Sequence, residues 1–332
     1  MKLSGFNKFF FDIVTEKKEY LIFYISVLKF SRFHLSFLNL QWAVPSPSAI
    51  YLSRINIASK LKLLNISDNE IAFSEGRIVI EDNNIKVKLS TPALGIDLNY
   101  NNVSQFSGQL TDMVVKISGH NILNWRPGFI KSKVNGSLRI NDCHIKVIDS
   151  FGYTDLVSIK NIPLKVPVSR LLWSRLHSGN IDLTYSLIIN KNNSSDSKLF
   201  AIVDNKAMEF SNLDLSVREE TAYSRLSIIY PSIYSIYAKD KDNEISLEIF
   251  DQNPAIINEF MDVKDQAGRL MSSLARHISG DPKGIKFMAK ANIILKKDLV
   301  IKEFHGLPMI SEYVCFDQAS PPYFFQRSRC EM

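Results

Sequence analysis

The stretch from residue 253 to residue 280, NPAIINEFMDVKDQAGRLMSSLARHISG, has the pattern of a long amphipathic helix. Asn253 is a preferred N-cap residue, and Pro254 suits the first helical position because its missing N–H needs no partner there. Apolar residues then recur at steps of three and four, which places them on one helical face. Gly280 is a typical helix terminator. The sequence therefore predicts one long amphipathic helix over residues 254–279.

The chain before this stretch alternates between apolar and polar residues, which is typical of strands with one buried face. Ile85, Val87 and Leu89, for example, alternate with two lysines. Turns rich in Asn and Asp, such as residues 82–84, separate these segments. Residues 168–176, which include Leu171, Leu172 and Trp173, fit one or two helical turns instead. We therefore predict a mainly β protein of the β-rich α+β class. It would be a long antiparallel meander forming a curved sheet or open barrel, with the helix near the C-terminus covering one face.

Length and composition are those of a globular chain. The protein has 332 residues, of which 45% are hydrophobic and 22% charged, and its mean hydropathy is -0.03. Such a chain can bury one large β-rich domain or two smaller ones. We predict an N-terminal segment over residues 1–28 and a single large domain over residues 29–310, with a possible internal boundary near 190–198. An irregular tail would follow over residues 311–332.

The charge balance makes anionic partners plausible. The net charge is +6 and the isoelectric point is near 9.0, which suits acidic lipid surfaces or nucleic acid. Nucleic acid is the less favoured partner because the basic residues are spread along strands without recognisable aromatic stacking platforms. The three cysteines are widely spaced, which argues against a disulfide framework or a structural zinc site.

The N-terminal segment combines aromatic rings with lysines. We regard five residues, Phe9, Phe10, Phe11, Lys17 and Lys18, as candidate membrane-contact residues, since aromatic rings and lysine stems suit a membrane interface. The alternative is that these rings pack into the sheet. The same segment also fits a short amphipathic helix. It shows neither a transmembrane helix nor a clean signal peptide.

The predicted helix supplies a candidate apolar groove. Its face toward the sheet would include Phe260, Met261, Leu270, Met271 and Leu274. If these side chains left a gap, the two methionines would form an adaptable apolar lining for a ligand. If they filled the concave side of the sheet, the domain would be a closed structural unit.

No catalytic, cofactor-binding or metal-binding motif is recognisable. The six histidines are scattered without metal-ligand spacing, and no nucleophile elbow, phosphate loop or dinucleotide fingerprint occurs. Ser195–Lys198 matches Ser-x-x-Lys, but we place it in a polar loop, whereas that chemistry needs the start of a buried helix. The sequence therefore predicts a protein that is not an enzyme and has no cofactor.

From about Phe30 to Pro308 the chain resembles the β-rich envelope proteins of Gram-negative bacteria related to the AsmA and TamB group. Three segments give this resemblance: QWAVP at 41–45, EISLEIFDQNP at 244–254, and DLVI at 298–301 with GLP at 306–308. The resemblance implies a long curved sheet with an apolar groove and a role in envelope lipid handling or assembly. It also implies a location on the periplasmic side of the inner membrane. Without the resemblance, we expect a cytoplasmic protein. It brings no catalytic residues.

Three functions are compatible with these observations. The favoured one is a non-enzymatic, envelope-associated protein that binds lipid or a membrane surface through the apolar groove. The second is a structural or interaction protein whose exposed sheet edges pair with a protein partner. The third is an enzyme of unrecognised type, which converging titratable groups would favour.

Overall fold

The structure is a computed structural model that describes residues 3–30, 33–45, 51–103, 111–117, 120–160, 167–204, 206–240, 242–259, 282–297 and 300–316. These residues form 22 β-strands, and none of them is helical. Every paired strand is antiparallel, so the prediction of a mainly β, antiparallel protein is confirmed. The chain divides into two compact units, one for each of two sheets.

The first unit contains a 13-stranded sheet. Its strands are β1 (Leu3–Val14), β2 (Tyr20–Phe30), β3 (His34–Pro45), β4 (Tyr51–Leu61), β5 (Leu63–Ile66), β6 (Glu70–Phe73), β7 (Gly76–Glu81), β8 (Asn84–Ser90), β9 (Leu94–Asn102), β10 (Met113–Ile117), β11 (His120–Pro127), β12 (Ser132–Ile140) and β13 (Cys143–Lys160). The order is β4-β3-β2-β1-β13-β12-β9-β8-β7-β6-β5, and β11 joins β10 to β13. Its two ends, β4 and β5, are separated in sequence by Lys62 alone. The sheet therefore curls into a nearly closed barrel.

The interior of this barrel is apolar. Alternate residues of each strand point inward, as in β8, where the inward face is buried and the outward face is exposed. Phe11 stacks on Phe23 with ring centroids 4.7 Å apart, and Tyr100 lies 5.6 Å from Phe11. These rings belong to one continuous cluster of buried residues from β1, β2 and the later strands. Burial of this apolar area is the main stabilising contribution to the unit.

The second unit contains a nine-stranded sheet. Its strands are β14 (Val168–Ser178), β15 (Ile181–Asn190), β16 (Ser195–Val203), β17 (Lys206–Ser211), β18 (Asp214–Tyr223), β19 (Ile228–Lys239), β20 (Asn243–Glu259), β21 (Lys283–Lys297) and β22 (Val300–Cys315). The order is β17-β16-β15-β14-β22-β21-β20-β19-β18. Tyr234 of β19 nevertheless hydrogen-bonds Tyr185 of β15 over 2.7 Å. Strands so distant in the order can meet only if the sheet curls, so this sheet is a half-barrel with a concave face.

The predicted helix over 254–279 is wrong at its start. Residues 253–259 belong to β20 and pair with β21, with Pro254 opposite Phe287. The register shifts on both sides of Asn253 and Pro254, and Asp251 has a φ of 52°. A bulge of this kind admits a proline inside a sheet, because the ladder hydrogen bond that proline cannot donate is already interrupted. The remainder, residues 260–280, lies outside the described residues.

The predicted N-terminal helix and the predicted tail also differ from the structure. Residues 3–14 form strand β1, in which Phe9, Phe11 and Ile13 alternate into the barrel interior. Residues 300–315 form β22, so an irregular tail begins no earlier than residue 316. The part of the chain that the structure describes has no helix long and apolar enough to cross a membrane.

Candidate active site

Strand β14 is the element around which the candidate site is built. The leucines and Trp173 of residues 168–176 suggested one or two helical turns, but the segment is a strand between β15 and β22. Both of its faces are buried over most of its length. Arg170, Leu172 and Ser174 lie on one face, and alternate residues lie on the other. The buried face that contains Trp173 is the candidate site.

Three chemically distinct side chains project from this face of β14. Trp173, Arg175 and His177 are alternate residues, and the antiparallel register places Ser186, Thr184 and Asp182 of β15 opposite them. On the other side of β14, Glu312 of β22 lies opposite Trp173. Arg175 and Asp182 are almost completely buried. A buried charged group is costly unless it has a partner. Packing alone would therefore favour apolar residues at these positions.

His177 and Asp182 form a directly bonded pair. Imidazole Nδ1 of His177 hydrogen-bonds Oδ1 of Asp182, and the two side chains are 11% and 1% exposed. The carboxylate orients the ring, and an imidazole held in this way exchanges protons through its other ring nitrogen. Many proton-transferring enzymes use such a pair, in which a histidine acts as the base and a carboxylate orients it.

Lys286 and Glu312 form a second ion pair on the same face. Lys286 Nζ lies 2.7 Å from Glu312 Oε1, and the side chains are 2% and 7% exposed. The two residues are direct neighbours on β21 and β22. Removing two charges from water costs more free energy than their attraction usually returns, so a buried pair is poorly explained by stability alone. Its presence beside Trp173 adds to the polar character of the face.

The opposite, concave face of β14 carries a cluster of hydroxyl groups. Ser174 Oγ donates to the Tyr185 hydroxyl over 2.8 Å, the Tyr185 and Tyr234 hydroxyls are 2.7 Å apart, and Tyr234 lies 3.1 Å from Ser311 Oγ. All four groups are buried. Burial raises the pKa of Tyr185 and that of Tyr234, because the interior disfavours the phenolate. The cluster is therefore neutral at physiological pH and ties β14, β15, β19 and β22 together.

The first unit has a separate buried carboxylate. Asp155 Oδ2 accepts hydrogen bonds from Trp125 Nε1 over 3.1 Å and from the Tyr153 hydroxyl over 2.9 Å. Asp155 lies opposite Phe10 in the β1–β13 register, on the face away from the apolar interior. Two fixed donors hold this carboxylate in one orientation.

The candidate residues predicted from the sequence lie elsewhere. Phe9, Phe10 and Phe11 are buried in the first sheet, whereas Lys17 and Lys18 are exposed in the turn after β1. Membrane contact by this segment stays a prediction, and the rings would have to leave their buried positions to take part. The groove residues Phe260, Met261, Leu270, Met271 and Leu274 lie outside the described residues. Among the residues that are described, no group of three or more potential ligands could hold a metal ion.

The sequence contains a signal for the site residues that no catalytic motif includes. Residues 173–177 read Trp-x-Arg-x-His, and Gly179 and Asn180 then form a two-residue hairpin loop. Gly-Asn is a recognised hairpin turn, and a two-residue loop fixes which residues face each other. Counting back from this loop pairs His177 with Asp182. The leucine-rich helical interpretation of 168–176 concealed that pairing.

Comparison with known proteins shows the fold and not the family. No protein-family description and no curated protein matches the sequence. The solved structures that match over most of their length include CghA, determined with Sch210972 (TM-score 0.63, 10% identity, 96% of this chain and 90% of that chain), a protein provisionally assigned as AttH from Nitrosomonas europaea (0.56, 9%, 95% and 93%), and kievitone hydratase from Nectria haematococca (0.51, 11%, 94% and 89%). The chain shares their fold.

These likenesses correct two expectations. The resemblance to AsmA and TamB proteins is wrong, since the matching structures are of the AttH and CghA type. The expectation of a non-enzymatic, lipid-binding envelope protein, with its interaction-protein alternative, is also overturned, because a protein of this fold bears the name of a hydratase. The apolar alternation on which those expectations rested is common to many curved β-sheets, so it could not separate one group from another.

Proposed function

We propose that this protein is an enzyme that transfers a proton to or from a small organic substrate, with His177 as the acid–base residue. The observation that supports this function best is the hydrogen bond between the half-buried His177 and the buried Asp182. Histidine is the side chain whose ordinary pKa allows it to take and release a proton near neutral pH. Asp182 is a positioning residue that fixes the tautomer and the direction of the ring.

The second support is the fold that the chain shares with kievitone hydratase. Addition or removal of water needs a group that exchanges protons with the substrate, which is the role proposed for His177. We therefore propose hydration or dehydration as the reaction class. Trp173 lies two residues before Arg175 on the same face of β14. Its ring supplies apolar area for an aromatic or aliphatic substrate.

A substrate panel tests this function. Purified protein is incubated with kievitone and with other unsaturated phenolic compounds, and products that differ by one water are measured by mass spectrometry. We expect turnover by the wild type, a loss of about 100-fold or more in His177→Gln, and a smaller loss in Asp182→Asn. His305→Gln, which changes an exposed histidine, is the matched control and should retain full activity.

Two results would contradict the proposal. One is turnover by His177→Gln at the wild-type rate. The other is an imidazole of His177 that shows no change in its NMR chemical shift between pH 5 and pH 8 or on addition of any compound in the panel, since a buried ring that never changes its protonation cannot act as an acid or a base.

A further inference from the structure

We draw no further inference here: the strongest candidate, the exposed apolar edge of β22 at Val300 and Ile301, lies beyond the residues of β22 that pair with β14, and nothing in the described part of the chain shows what covers it.

Discussion

Strands β8 and β9 of the first unit and strands β14 and β15 of the second are buried in different ways. In β8 and β9 one face is buried and the other is exposed or half-buried, so polar and apolar residues alternate. In β14 and β15 both faces are buried, and the buried positions include Arg175, Asp182 and Thr184. The first pair is stabilised by an apolar interior. The second keeps charges and hydroxyl groups where apolar side chains would be the ordinary solution.

This difference shows where structure and function are separated in the molecule. A buried Leu or Ile contributes to folding and takes part in no chemistry. Strands β8 and β9, which bury apolar residues on one face, therefore have a structural role. A buried ionisable group contributes little to folding, and it is retained where chemistry requires it. Strands β14 and β15, which are buried on both faces, are therefore the part of the chain in which activity is expected.

The largest effect on the free energy of unfolding is expected when Lys286, one of the buried charges of the second unit, is replaced. Lys286→Met removes the partner of the buried Glu312 and should lower the free energy of unfolding by about 3–5 kcal/mol. The double variant Lys286→Met, Glu312→Leu leaves no unpaired charge and should recover most of that loss. Urea titrations of the wild type, the single variant and the double variant measure both effects. Lys86→Met, at an exposed lysine of β8, is the control and should change stability by less than about 0.5 kcal/mol. If the double variant is no more stable than the single one, the pair is needed for folding after all.

A substitution in the apolar interior should act by packing alone. Phe23→Ala removes a ring that is fully buried and stacked on Phe11, and it should cost about 3 kcal/mol or more. Because the barrel interior contains no group of the proposed site, turnover per folded molecule should not change. Denaturant titration and activity per folded protein measure the two quantities. A large loss of activity in a fully folded Phe23→Ala protein would show that the separation of roles is wrong.

The hydroxyl cluster predicts a dependence of stability on alkaline pH. Burial raises the pKa of Tyr185 and of Tyr234 in the folded protein. Above pH ~10 the unfolded chain loses these phenolic protons and the folded chain keeps them. The unfolded state then binds fewer protons, so stability falls as pH rises, by at most about 1.4 kcal/mol per pH unit for each tyrosine.

Tyr185→Phe removes one of these groups and should make that decline less steep above pH ~10. Thermal unfolding between pH 8 and pH 11 measures the slope, and Tyr237→Phe, at an exposed ring on the same sheet, is the matched control. An unchanged slope in Tyr185→Phe would mean that its phenol ionises in the folded protein.

The same contrast explains what could be predicted from the sequence. Ile85, Val87 and Leu89 alternate with lysines, so β8 and its turns follow directly from the pattern. Strand β14 does not alternate, since both faces are buried, and its apolar run suggested a helix. Pro254 and its neighbours suggested a helix start because a bulge inside a long strand has no signature separate from an N-cap. The candidate site was missed for the same reason as its strand, although the hairpin loop at 179–180 identifies the pair His177–Asp182.

The smallest effect on stability is expected at the outward face of β8 and β9. Lys88 of β8 lies opposite Asp97 of β9, with Nζ 3.6 Å from Oδ2, and both side chains are mostly exposed. Solvent screens this cross-strand pair, so Lys88→Ala should lower the free energy of unfolding by no more than about 0.2–1 kcal/mol, and less at high salt. A double-mutant cycle with Asp97→Ala in low and high salt measures the coupling. Coupling as large as that between Lys286 and Glu312 would mean that exposure does not decide what a charge pair contributes in this protein.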